Sequence, residues 1–172
     1  MAQAVLSARL AVRGVDVPVA SAGLLASGRP PPPEVVSVMA DRGIDVAGHR
    51  SRVVTADDLA AAGLILGLTR EHVRHAAVLL PAAWPRTFTI RELLRCGEQT
   101  GARAPGEPLD HWLTRAADGR QRADLLGSDP ADDVADPVGG PLRGYRTTAD
   151  LLDKLTRDLV ELGWPNSEPL RK

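Results

Sequence analysis

The one thiol in this sequence, Cys96, heads a glycine-rich stretch, Cys96-Gly97-Glu98-Gln99-Thr100-Gly101-Ala102-Arg103, that ends in a guanidinium. A thiolate with backbone N–H groups and an arginine around it is suited to attack on an anionic ester. Here the stretch follows a helical pattern and no helix follows it. No aligned N–H groups or helix dipole would lower the thiol pKa, so Cys96 reads as a structural or incidental cysteine. His72 and His75 stand on one helical stretch, but no acidic or cysteine ligands assemble around them in sequence. They read as surface helix residues, and no metal or other cofactor is implied. In an α/β protein, phosphate chemistry is usually placed at the turn entering the first helix. Met1–Val12 reads as a helix from its first residue, with Val5, Leu6, Leu10 and Val12 as a rough apolar stripe and no cap or strand before it. That turn would lie just upstream of Met1.

Size and charge bound the elements that must position any site. A chain of 172 residues fits a single domain, 1–172, with a real core. With 21 basic and 22 acidic residues and a net charge of −1, there is no electrostatic case for nucleic acid or an anionic membrane. No apolar run reaches the roughly 20 residues that span a bilayer. Arg9 and Arg13 interrupt any signal-peptide core. A single cysteine excludes an internal disulfide framework and fits a reducing, cytoplasmic location. Aromatic residues make up only 3% of the chain, so the core must be aliphatic.

Short apolar runs alternate with helical patterns, which predicts an α/β fold: a small doubly wound parallel sheet flanked by helices. Val17–Ser21 is a strand candidate, at an edge or strand start because Pro18 lacks an N–H. After a proline-rich loop, Pro33 opens a helix over Glu34–Arg42, with Val35, Val36, Val38 and Met39 inward and Gly43 as its stop. Thr55 caps a helix that ends at Gly63, and Leu64-Ile65-Leu66 reads as a fully buried strand. Thr69 caps a helix from Arg70 to about Val78. Thr87–Ile90 is a strand leading into a helix over Arg91–Arg95. Residues 97–130 read as a variable exposed insertion, with a helix at Leu109–Ala117 anchored by Trp112 and Leu113. The last helix starts at a capping-box-like Thr147/Asp150 and buries Leu151, Leu152, Leu155, Leu159, Val160 and Leu162.

Four segments occur in a characteristic order: Ser21-Ala22-Gly23; Gly43-Ile44-Asp45 with Gly48-His49-Arg50-Ser51-Arg52; Leu64-Ile65-Leu66; and Asp136-Pro137-Val138-Gly139 followed by Tyr145. Each is weak alone, but the ordered set resembles the low-molecular-weight protein-tyrosine phosphatase family over Met1–Leu162, apart from the insertion. The resemblance implies a three-layer phosphatase fold and two-step hydrolysis of phosphate monoesters, on a phosphorylated protein or a small ester. In that family a cysteine thiolate attacks phosphorus from a Cys-(x)5-Arg loop between the first strand and first helix. Asp136 matches the aspartic acid that protonates the leaving oxygen and then activates water, although an aspartate before proline can be an ordinary loop residue. Ser21 and His49 match the polar residues that brace the phosphate loop, though a turn histidine more often faces solvent. Arg50 and Arg52 are solvated or phosphate-proximal charges rather than catalytic groups.

The chain departs from the family pattern. Val138-Gly139 replaces the aromatic residues that usually wall the substrate slot, and Gly67-Leu68 replaces a Met-Asp-like continuation. Six residues rather than five separate Cys96 from Arg103, so this stretch is not the phosphate loop. Met1-Ala2-Gln3 matches the residues that follow the family's loop, which implies that the first strand and the loop lie ahead of Met1 and that the 172-residue chain is inactive. Two alternatives stand beside the phosphatase: an arsenate reductase of the same fold family, whose thiol relay would need cysteines beyond Cys96, and a non-catalytic phosphoprotein-binding or regulatory module.

Overall fold

A computed structural model describes residues 1–25 and 27–165. The elements in chain order are α1 (Ala2–Val12), α2 (Pro33–Ala40), α3 (Ala56–Ala61), β1 (Ile65–Gly67), α4 (Arg70–Leu79), a 3-10 helix (Pro81–Arg86), β2 (Thr87–Thr89), α5 (Ile90–Thr100), α6 (Leu109–Ala116), a second 3-10 helix (Arg122–Leu125) and α7 (Leu142–Gly163). The chain divides into two compact units. One comprises Met1–Thr55 and Val134–Arg157; the other comprises Ala56–Asp133 and the chain from Asp158 onward. The fold class is α/β, with a small parallel sheet and helices around it.

The first unit is helical around an aliphatic core. Val5 of α1, Val35, Val38 and Met39 of α2, and Val46, Tyr145 and Ala149 form one buried cluster, against which Met1, Ala4, Val36 and Ile44 pack. Pro33 at the first turn of α2 has its φ set in advance and lacks a donor that would be orphaned there. Gly43 ends the following turn at φ +71°, a conformation that costs glycine nothing. One predicted inward residue is misplaced: Val12 is 92% exposed, because Val5 and Leu10 hold the buried side of α1.

The predicted strand at Val17–Ser21 forms no ladder with any described residue. Pro18 has no donor to offer, and the carbonyl of Val19 is taken by the side chain of Gln3. Parallel pairing begins only at Gly23, in an isolated bridge to Val53. Gly23 N–H donates to Arg52 O at 2.8 Å and Val54 N–H donates to Gly23 O at 3.0 Å.

The second unit holds the sheet. β1 and β2 pair in parallel, Ile65 against Thr87, Leu66 against Phe88 and Gly67 against Thr89, with α4 in the connection between them. β1 runs one residue later than predicted, and Ile65 and Leu66 are half-buried rather than fully so. Thr69 does cap α4, its hydroxyl accepting from His72 N–H at 3.4 Å. Thr89 and Glu92 form a reciprocal capping box that starts α5, which runs well past the predicted Arg95, through Thr100.

Within 97–130 most residues are exposed, yet Trp112, Leu113, Ala116 and Leu125 are buried. Trp112 Nε1–H donates to Gly101 O at 3.0 Å, and a Cβ at Gly97 would come within 3.2 Å of the Trp112 ring. Arg120 spans the faces of Trp84 and Phe88, 4.4 and 3.8 Å from the ring centroids, and pairs with Glu92. α7 starts at Leu142, earlier than Thr147. The Thr147 hydroxyl donates to Arg143 O inside the helix, and Asp150 pairs with Arg42 instead of capping.

Candidate functional site

Asp136 sits on the turn that enters α7. Its Oδ1 accepts from Val138 N–H at 3.0 Å, an Asx turn that fixes the carboxylate against its own backbone. Gly140 N–H donates to Pro137 O at 2.9 Å and closes a four-residue turn around Val138 and Gly139. Gly139 has φ +80°, where a side chain would be strained, and a Cβ at Gly140 would lie 3.1 Å from Pro137 O. Gly139 N–H donates in turn to the hydroxyl of Tyr145 at 3.2 Å, and Tyr145 is buried in the core of the first unit. Asp136 itself is exposed. The result is a solvent-facing carboxyl on a loop that three hydrogen bonds hold in one shape.

The two predicted supporting residues lie in the same unit. Ser21 is half-buried, and its hydroxyl donates to Gln3 Oε1 at 2.9 Å. Gln3 Nε2–H donates to Val19 O at 3.0 Å, so one side chain of α1 ties down both ends of the 19–21 segment. His49 is exposed; its N–H donates to Val46 O at 3.0 Å, and its carbonyl accepts from Arg50 Nη1 at 2.7 Å. The same Arg50 nitrogen also donates to Ala47 O at 3.0 Å, so Arg50 folds back on its own turn. Backbone and hydroxyl bonds between Ser51 and the 28–29 segment join this turn to the loop after Ser21. No hydrogen bond links Asp136, Ser21 and His49 to one another among the described residues.

Cys96 lies within α5, not after it. Burial pushes its thiol pKa up, and the neighbouring Glu92 charge adds to the rise. A protonated thiol in a helix body is a poor nucleophile. His72 Nδ1 accepts from Leu68 N–H at 3.2 Å, which makes it part of the turn entering α4. Sequence reasoning missed Gln3 and the hydroxyl of Tyr145 as partners of the candidate residues. A glutamine on a helix and a tyrosine ahead of a leucine-rich stripe carry no local sign of which groups they will bond.

The sequence matches the family model described as low molecular weight phosphotyrosine protein phosphatase over residues 1–101, more than half of the chain. The chain belongs to that family. A probable low molecular weight protein-tyrosine-phosphatase, EpsP, of Ralstonia solanacearum is 38% identical over 93 residues, covering 54% of this chain and 62% of the relative. The chain thus matches less than two-thirds of the length of its curated relatives. Among solved structures, the low molecular weight protein tyrosine phosphatase from T. tengcongensis superposes with a TM-score of 0.69 at 28% identity, over 93% of this chain and 87% of that one. The YwlE arginine phosphatase from Geobacillus stearothermophilus gives 0.64 at 25% identity, over 93% and 80% of the two chains.

Proposed function

We propose that this chain is the body of an enzyme that hydrolyses phosphate monoesters, with phosphotyrosine in proteins as its substrate class. The nucleophile in such an enzyme is a cysteine thiolate on a phosphate loop, a role that Cys96, half-buried in α5, does not fit. The thiolate attacks phosphorus, forms the S–P bond and breaks the P–O bond to the phenol. Asp136, entering as the acid, gives its proton to that phenol oxygen. As the carboxylate it then takes a proton from the water that attacks phosphorus and releases the thiolate. Ser21 and His49 hold the loop that binds the phosphate. The cytoplasm is where such a protein meets phosphoproteins or small phosphate monoesters.

The observation that carries this reading is the Asp136 turn, an exposed carboxyl on a fixed loop in a chain of this family. Cys96 supports it by elimination, since its thiol is half-buried in α5 and shifted toward the protonated form. The test is to assay aryl phosphate hydrolysis by the protein translated from an upstream in-frame start and by the 172-residue chain. The longer protein turns over, Cys96→Ser leaves its rate unchanged, and Asp136→Asn lowers kcat/KM by roughly 10²–10⁴-fold. Turnover by the 172-residue chain that depends on Cys96 would reverse the assignment of the nucleophile.

A further inference from the structure

We infer that Tyr145 is a positioning residue for Asp136, acting through the backbone of the loop between them. This rests on the phosphatase reading above and deepens it. The chain of bonds is short and continuous. The Tyr145 hydroxyl accepts from Gly139 N–H at 3.2 Å, Gly140 N–H closes the turn on Pro137 O at 2.9 Å, and Val138 N–H holds Asp136 Oδ1 at 3.0 Å.

Two features make the tyrosine more than a packing residue. Its ring belongs to the cluster with Val5, Val38 and Met39 and is 2% exposed, so the hydroxyl is a fixed point carried by the core. The loop it holds is otherwise solvent-facing: Val138 is 65% exposed, and Asp136, Gly139 and Gly140 are exposed. Loops with so little buried surface sample several shapes unless something ties them. Here the tie is one phenol oxygen.

The consequence for chemistry lies in which carboxyl oxygen stays available. Oδ1 is committed to Val138 N–H, which leaves Oδ2 to carry the transferred proton. Its direction follows from the turn, and the turn from the Tyr145 anchor. If the anchor is lost, the carboxyl remains but its aim spreads over many geometries, and proton transfer to the leaving oxygen becomes infrequent.

Tyr145→Phe removes the hydroxyl and keeps the ring in the core. In the 172-residue chain, hydrogen exchange at the Gly139 amide should quicken by about tenfold or more while amides of α1 and α2 stay as protected as before. In the protein with its upstream loop, kcat/KM for phenyl phosphate, whose leaving oxygen needs a proton, should fall by about tenfold, a part of what a well-placed acid supplies. For 2,4-dinitrophenyl phosphate, whose leaving group departs unprotonated, it should change less than about twofold. Equal losses for both esters would mean a general structural defect and would overturn the positioning role, as would no loss with phenyl phosphate. Unchanged exchange at Gly139 would show that the tyrosine does not tie the loop. A wild-type protein inert toward both esters would sink the phosphatase reading, and the role in catalysis with it, while the exchange experiment still reports on the tie itself.

Discussion

Asp132 and Asp136 are neighbours in sequence and opposites in environment. The Asp132 side chain is 3% exposed and gripped through both oxygens, by Arg70 Nε at 2.7 Å on Oδ2 and by Arg95 on Oδ1. Asp129 and Asp133 complete the network, the first with Arg70 Nη2 at 3.1 Å and the second accepting from the Arg70 N–H at 2.7 Å, at the start of α4. No ion pair reaches Asp136 among the described residues, and its one hydrogen bond there uses a single oxygen. A carboxylate saturated by two guanidiniums is a fixed anion: it fastens chain and has no proton to trade. One held at a single oxygen by a neutral amide has a fixed direction and a free lone pair, which acid–base chemistry requires. The same residue type serves as a rivet in one place and as a candidate proton carrier in the other.

The largest effect should come from undoing the rivet. Asp132→Ala removes the buried anion that Arg70 and Arg95 share; Arg70 keeps Asp129 and Arg95 is half exposed to water, so the cost is that of lost charge-assisted hydrogen bonds, about 1–3 kcal/mol. Urea unfolding of the variant should show it as a lowered midpoint, and an unshifted midpoint would end the contrast between the two aspartates.

A smaller effect should appear on acidification. Burial pushes the Asp132 pKa up, but hydrogen bonds from Arg95 and Arg70 outweigh it and hold the carboxyl below its usual range. A pKa lower in the folded state than in the unfolded chain means stability that is present above about pH 4 and lost as pH falls through the folded value. Thermal melts from neutral pH down to about pH 3 should decline on the acid side, and Asp132→Asn should flatten that decline. The smallest effect is expected at the other aspartate. Asp136→Asn should move the melting temperature by no more than an exposed substitution does, about 0.5 kcal/mol in stability, whatever it does to turnover.

Local signals in the sequence carried much of the fold. Pro33 and Thr69 open helices by replacing or satisfying orphaned donors, and Gly43, three residues past the end of α2, lets the chain turn back on its last carbonyls. The strand at Val17–Ser21 failed because a strand is defined by its neighbour, and a run of apolar residues cannot report whether one is present. The start of α7 was read late because Thr147 and Asp150 mimic a cap. Their side chains instead serve a helical carbonyl and Arg42, partners that only the fold brings close or leaves open. For the candidate site, the ordered motifs point to Asp136, Ser21 and His49, whose roles belong to the proposal above. The bonds of Gln3 and of the Tyr145 hydroxyl carry no such signal, since they cross between elements and leave no trace in spacing.

The bond from Ser21 to Gln3 has a consequence for what that serine can greet. Its single hydrogen is already turned toward the amide of α1, so the oxygen shows only lone pairs to whatever approaches from the other side. Such an oxygen attracts an N–H and repels an oxyanion. Ser21 is therefore fit to receive a hydrogen from a neighbouring N–H and unsuited to touching an anion directly.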